Sequence, residues 1–299
     1  MAQDTNQNRP ADVAQADSVG GMAKRLLNPA HLSDLARRSA ATLKEQGAEQ
    51  LWRDVTFRVG LAFHHDSWQH RADLPLRREM KAQRAEYADG KPGPVVSVVV
   101  PLYNTPESSL ADAGSVQKQT YPHWQLVLVD ASDAAHAAFS THASKAAAKD
   151  PRILYKKVEN GGIAANTTAG FALATGTYIA LLDHDDVLYP NALYESVKTL
   201  QSQGAELVYS DEIVLSADLK QLGGYHFKPD FAPDYLRGVN FITHLAVFSR
   251  ALLDRAGAYE SSEYDGAQDH DLMLRLTEQT TRDKIAQYQK GALYLARPC

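Results

Sequence analysis

The feature that most constrains this chain lies after Pro94, where short β-branched runs alternate with stretches long enough for helices. Val95 to Val100, Gln125 to Val129, Tyr178 to Leu182 and Glu206 to Tyr209 read as strands. Ser108 to Gln119, Ala134 to Lys149, Ile163 to Ala174 and Pro190 to Gln203 read as helices, the last with its proline in the first turn, where a missing N–H costs nothing. Such alternation predicts crossover units and an α/β fold with a mostly parallel sheet covered by helices on both faces.

Upstream, Pro75, Gly90, Pro92, Gly93 and Pro94 punctuate the chain, so the best domain cut falls near residue 93. Residues 94–299 are expected to form the α/β domain, and residues 1–93 a disordered tail followed by a helical extension. The first 20 or so residues are polar and without periodicity. Leu32, Leu35, Ala36, Leu43, Leu51, Trp52, Val55 and Val59 then fall loosely at helical spacing. Lys24 to Arg84 carries 12 Lys and Arg against 7 Asp and Glu, a local charge of +5 in a chain of net charge −5. The charge suggests an anionic membrane surface as a partner, with a solvated helical brace as the competing reading and no nucleic acid expected. Cys299 is the only cysteine, which removes disulfide frameworks and cysteine-bound zinc, and the polar start and the lack of a long apolar run predict a cytoplasmic location.

Open α/β sheets bind ligands at the carboxyl ends of their strands, so the residues after each run matter most. All four are polar: Pro101-Leu102-Tyr103-Asn104, Asp130-Ala131-Ser132-Asp133, Asp183-His184-Asp185-Asp186 and Ser210-Asp211-Glu212. Three carboxylates in four residues repel one another unless a cation neutralises them. Mg2+ or Mn2+, which takes a few carboxylates and completes its shell with water and substrate phosphates, is the expected cofactor at Asp183, Asp185 and Asp186. The competing reading is a solvated acidic turn before the Pro190 helix.

Asn160-Gly161-Gly162 precedes a helix bearing Asn166, and a glycine pair at a helix amino terminus lets backbone amides approach an anion. Neither the dinucleotide fingerprint nor the Walker loop is present, so nicotinamide and ATP-hydrolysing readings lose their main support. Farther on, Gln268-Asp269-His270-Asp271 opens a helix, where Asp269 is either a cap or a carboxylate set apart for proton abstraction from an alcohol. His244, in a stretch that reads as a strand, is expected to be a satisfied, half-buried histidine rather than a ligand.

In order along the chain, Val96 to Asn104, Leu128-Val129-Asp130, Asn160-Gly161-Gly162, Asn166, Leu182 to Asp186 and Gln268 to Asp271 together resemble the inverting glycosyltransferase family 2, which has the Rossmann-like GT-A fold. Tyr209 to Glu212, Phe227-Lys228-Pro229-Asp230-Phe231 and Gly266 to Asp271 are similar to a bacterial polysaccharide-assembling, rhamnosyltransferase-like subgroup. The resemblance implies a nucleoside-diphosphate sugar as donor and a glycan or lipid-linked glycan as acceptor. By the same likeness Pro101, Tyr103, Asn104 and Asp130 are assigned to the nucleotide, and Asn160, Gly162, Asn166, Asp183 and His184 to the rest of the donor. Asp183, Asp185 and Asp186 would hold the metal and diphosphate, and Asp269 would be the base in a single displacement that inverts the anomeric carbon.

Two departures stand against full activity. The family's second-strand ending appears here as Val129-Asp130-Ala131-Ser132, with one acidic position absent or shifted. Residues 284–299 contain no histidine where the subgroup carries a His-Trp-Arg-like segment, which reads as an altered or truncated end and puts turnover in question. A nucleotide-sugar-binding module without turnover and a sugar nucleotidyltransferase are the competing functions. The nucleotidyltransferase would need a basic, glycine-rich loop after the first strand, and Pro101 to Glu107 holds no Lys or Arg.

Overall fold

The computed structural model describes residues 77–106, 110–216, 222–259 and 266–297, with a few isolated positions between 40 and 75. The chain divides into two compact units, residues 1–65 and 66–299. The polar tail lies outside the described residues, as does most of the helical stretch over 31–60, of which positions 40, 43, 44, 48 and 51 are helical.

Within residues 66–299, α1 (Arg77–Ala85) leads to β1 (Val96–Leu102), α2 (Leu110–Gln117), β2 (Trp124–Asp130), α3 (Ala137–Lys149), β3 (Ile153–Lys157) and α4 (Ile163–Leu173). There follow β4 (Tyr178–Leu181), β5 (Val187–Leu188), α5 (Ala192–Gln203), β6 (Leu207–Leu215), β7 (Leu222–His226) and α6 (Pro233–Gly238). β8 (Ala246–Ser249), α7 (Arg250–Ala256), α8 (Gln268–Glu278) and β9 (Ile285–Ala296) complete the order. The nine strands of the described residues join one sheet in the order β3-β2-β1-β4-β8-β6-β9-β5, with β7 added on β6.

The predicted α/β class, with a mostly parallel sheet flanked by helices, is the one observed, and the sheet is curled. β1 pairs in parallel with β2 and β4, and β2 with β3. β8 is antiparallel to both β4 and β6, which turns β6 back to the direction of β1, and β9 follows β6 in parallel. The carboxyl ends of β1, β2, β4, β6 and β9 therefore share one edge, together with the amino end of β8.

β1 shows why these apolar runs are strands. Val96, Val98, Val100 and Leu102 pack on one face with Val116 of α2, Phe139 of α3 and Leu193 and Val197 of α5. Val99 turns to the other face, with Phe171 of α4, Leu252 of α7 and Leu272 of α8. Two apolar faces at a period of two require helices on both sides, and each fully buried aliphatic side chain contributes roughly 1.5–3 kcal/mol.

Residues 77–93, which the punctuation at Gly90 to Pro94 would separate from the sheet, are bound to its helical layer. Gln83 donates to Glu195 at 3.0 Å and accepts from Thr120 at 2.7 Å, and Tyr194 donates to Glu86 at 2.7 Å. Tyr87 packs edge-on against Tyr121, with ring centres 5.1 Å apart. The prolines and glycines mark a turn into β1 rather than a free linker.

Candidate active site

Each strand that reaches the shared edge delivers a polar group there. At the end of β2, Asp130 is fully buried and its carboxylate accepts from Ser140 Oγ at 2.5 Å, Tyr155 Oη at 2.7 Å and the Ser132 amide at 2.9 Å, with Lys157 Nζ 3.2 Å away. Burial opposes its charge, but these donors outweigh burial and hold the carboxyl down at about 2. Asn104, in the left-handed region at φ 49°, donates its amide to Ser132 Oγ at 2.8 Å and ties the end of β1 to the end of β2. Pro101 is partly exposed and Tyr103 is exposed, so the β1 end offers a ring to solvent beside Asp130.

The Asn160-Gly161-Gly162 turn is internally closed. Asn160 Oδ1 accepts from the Gly162 amide and from Asn166 Nδ2, both at 3.1 Å, while Asn166 Oδ1 accepts from the Gly161 amide at 3.2 Å. Gly162 has φ 90°, a conformation a side chain would strain, and caps α4. Asn160, Gly162 and Asn166 thus act as one unit that shapes the start of α4.

After β4 the chain carries its acidic group. Donor atoms of Asp183, Asp186 and His244 lie within 4.8 Å of one another. His244 Nε2 stands 3.3 Å from Asp183 Oδ2, and His244 Nδ1 stands 3.4 Å from Glu212 Oε2, a charge pairing longer than a good hydrogen bond. Burial disfavours the charged ring, but the two carboxylates prevail and push its pKa up to about 10. Asp186 is buried, and burial together with the Asp183 charge pushes it up to about 6 against the donors Tyr294 Oη and the Arg297 amide, each at 2.7 Å. For Asp183, burial works against the charge and the His244 ring more than offsets it, so its pKa is lowered.

Asp185 stands outside this converging group. Its carboxylate is partly exposed and 3.9 Å from His184 Nδ1, while its carbonyl accepts from Arg297 Nη1. The expected trio of carboxylates is in geometry two carboxylates and an imidazole. His244, which the sequence sets aside as a ligand, follows no parallel strand: it precedes β8, whose antiparallel course brings its start, not its end, to the acidic edge. The histidine is half-buried and partnered, as expected, but its partners are the acidic residues themselves.

Asp269, in the first turn of α8, accepts from Tyr259 Oη at 2.9 Å, and burial with the nearby Asp183 charge raises its pKa. Asp271 turns away to Arg275, 2.9 Å distant, whose Nη1 also donates to the carbonyls of Ala256, Gly257 and Ala258. One carboxylate of the pair faces the acidic group and the other secures the helix. A cavity of about 510 Å³ lies apart from this edge, between α5 and the first half of β9, where Glu195, Lys198, Arg282 and Lys290 line it.

The donor set suits a small divalent ion. Two donors facing each other across an ion at about 2.1 Å stand roughly 4.2 Å apart, so a slight closure of Asp183, Asp186 and His244 would bring all three into a coordination sphere. Two carboxylates and one imidazole could hold a divalent cation, and this donor set does not choose between Mn2+ and Mg2+.

Comparison with known proteins bears on the family and the fold. The profile of glycosyl transferase family 2 matches residues 97–256. The protein y4gI of Sinorhizobium fredii is 37% identical over 196 residues, which cover 64% of this chain and 21% of that protein. The O-antigen biosynthesis protein RfbC of Myxococcus xanthus is 37% identical over 192 residues, 63% of this chain and 15% of RfbC. This chain therefore spans about a fifth or less of the length of these two relatives. Among solved structures, S. aureus TarS superposes with a TM-score of 0.56 at 17% identity, covering 68% of this chain and 36% of TarS. Its residues 1–349 in complex with UDP give a TM-score of 0.55 at 18% identity over 68% of this chain and 60% of that one.

Proposed function

The chain belongs to glycosyl transferase family 2, and from that premise we propose that it moves a hexosyl or deoxyhexosyl group, with inversion, from a nucleoside-diphosphate sugar to a hydroxyl of a glycan or lipid-linked glycan. The observation that carries this reading is the convergence, at one sheet edge, of Asp183, Asp186 and His244, which could together hold a cation, and a separate carboxylate, Asp269, whose pKa is raised by burial and by the Asp183 charge. Asp130 and Asn104, with Tyr103 and Pro101 beside them, form the nucleotide end, and Asn160, Gly162 and Asn166 close the donor side. His184 and Asp185 border the diphosphate position.

Mn2+ or Mg2+ bound at Asp183, Asp186 and His244 would offset the charge that develops on the departing diphosphate. Asp183 and Asp186 would supply the negative charge that attracts the ion, and His244 would have to give up its proton to act as a ligand. Asp269, kept basic by burial and by Asp183, accepts the acceptor hydroxyl's proton as the oxygen attacks the anomeric carbon from the face opposite the leaving group. Tyr259 donates to Asp269 Oδ1 and orients it, which leaves Oδ2 for the acceptor. No covalent sugar intermediate is required.

The basic stretch over 24–84 is proposed to bring the enzyme to anionic lipid, where lipid-linked acceptors reside. Among the described residues no helix is long and apolar enough to cross a membrane.

A thermal-shift panel of nucleoside diphosphates with and without Mn2+, followed by turnover assays of the matching sugar donors, tests the function. UDP and UDP-GlcNAc, bound by TarS, come first. Stabilisation that requires both nucleotide and Mn2+ is the expected outcome. Failure of every nucleotide to stabilise the chain in the presence of Mn2+ would overturn the reading.

A further inference from the structure

The sequence of β9 departs from the subgroup pattern, yet its last turn of chain touches every member of the acidic group. Tyr294 is fully buried. Its hydroxyl donates to Asp186 Oδ2 at 2.7 Å and accepts from the Asp183 amide at 3.3 Å. Its ring stacks on His244, with centres 5.0 Å apart and planes 14° from parallel. Its backbone is held between two strands, opposite Glu212 of β6 and Leu188 of β5. Glu212 is the second carboxylate on the His244 ring, so β6 and β9 grip that ring together.

The register explains how Tyr294 reaches this place. Ser210 faces Tyr288, but the next residue, Asp211, faces Ala292, and Glu212 faces Tyr294. The extra residues of β9 loop out around Gly291, at φ 117°, and carry the second half of the strand forward onto the acidic edge. A tyrosine needed only to fill the core could satisfy its hydroxyl on any backbone carbonyl; here both of its bonds go to the turn that bears the carboxylates.

We infer that Tyr294 is a positioning residue that holds Asp183, Asp186 and His244 in one arrangement for a divalent cation, an inference that rests on the transferase reading above. Its hydroxyl fixes one carboxylate and the backbone of the other, and its ring sets the plane of the imidazole. Partners that orient metal ligands typically change metal affinity 10- to 100-fold when removed.

The test is Mn2+ binding by the full chain in the presence of UDP, read from the loss of the free-ion electron paramagnetic resonance signal, with melting temperature measured in parallel. Tyr294→Phe keeps the ring and removes the hydroxyl, and is expected to bind Mn2+ roughly 10-fold or more weakly while remaining folded. Should that variant not fold, 4-fluorophenylalanine at position 294 fills the hydroxyl's space without donating, and the same loss is expected. Equal affinity in wild type and a folded variant would overturn the inference and leave the transferase reading standing. Absence of Mn2+ binding by the wild-type chain with UDP would instead overturn the cation assignment on which both rest.

Discussion

At the scale of single residues, the two carboxylates of the Asp269 turn have different work. Asp269 is half-buried against Tyr259 and its pKa is raised, whereas Asp271 is spent on Arg275. Asp269→Asn is expected to lower transfer by about 10² to 10⁴ with donor affinity nearly intact, because a base touches the acceptor proton and not the donor. Asp271→Asn should instead lower the melting temperature and leave the rate per folded molecule close to wild type. Rates, donor affinities and melting curves of both variants check the assignment, and near-normal transfer by a folded Asp269→Asn would end it.

Asp130 carries a pH dependence. Its folded pKa of about 2 lies below the ordinary aspartate value of 3.8, so the folded state binds the proton less readily than the unfolded chain does. The contribution, about 2 kcal/mol, is fully present above pH 4 and is lost as pH falls toward 2. Urea denaturation should find Asp130→Asn less stable than wild type at pH 6, with the gap narrowing at pH 3. A gap of the same size at both values would contradict the hydrogen-bond account.

At the scale of elements, the approach to β4 is tighter than its sequence suggests. A methyl on Gly176 would meet the Val95 carbonyl at 2.5 Å and the Ser97 amide at 2.7 Å, both backbone atoms of the β1 region that cannot swing aside. Gly176 and Thr175 also donate their amides to Ser97 Oγ, at 2.8 and 3.2 Å. Gly176→Ala should cost about 1–3 kcal/mol by overpacking, read as a lower urea midpoint with an unchanged slope. Gly224→Ala, in β7 with open space around the position, is the control expected to cost less. β9 shows the opposite relation between sequence and element. Its residues 285–296 hold no histidine, yet they form a strand of 12 residues beside β6 and bring Tyr294 and the Arg297 amide to Asp186.

For the whole molecule, charge is the property that no single element carries. Flotation with anionic and neutral liposomes should recover the full chain with the anionic vesicles only, and the binding should weaken as salt rises from 50 to 300 mM. Equal absence from both lipid fractions would reduce the basic stretch to a solvated brace.

The sequence by itself determined the α/β class, the order of the four principal runs and the placing of acidic groups after them, because strand runs buried on both faces must be continuously apolar and the polar residues that end them are conspicuous. It also singled out Asp183, Asp186 and Asp269, which the fold gathers near one another at a single edge. Only the tertiary structure decided that His244 joins the group in place of the Asp185 side chain, since the antiparallel direction of β8 is set by pairing with strands distant in sequence. The same is true of Gln83 and Tyr87, whose bonds to α5 and to the segment before β2 draw residues 77–93 into the domain. It is true of Tyr294 as well, whose position depends on a register shift between β6 and β9. Hydrophobic period is a local property and can be read along the chain; strand direction and register are relations between segments, and they exist only once those segments meet.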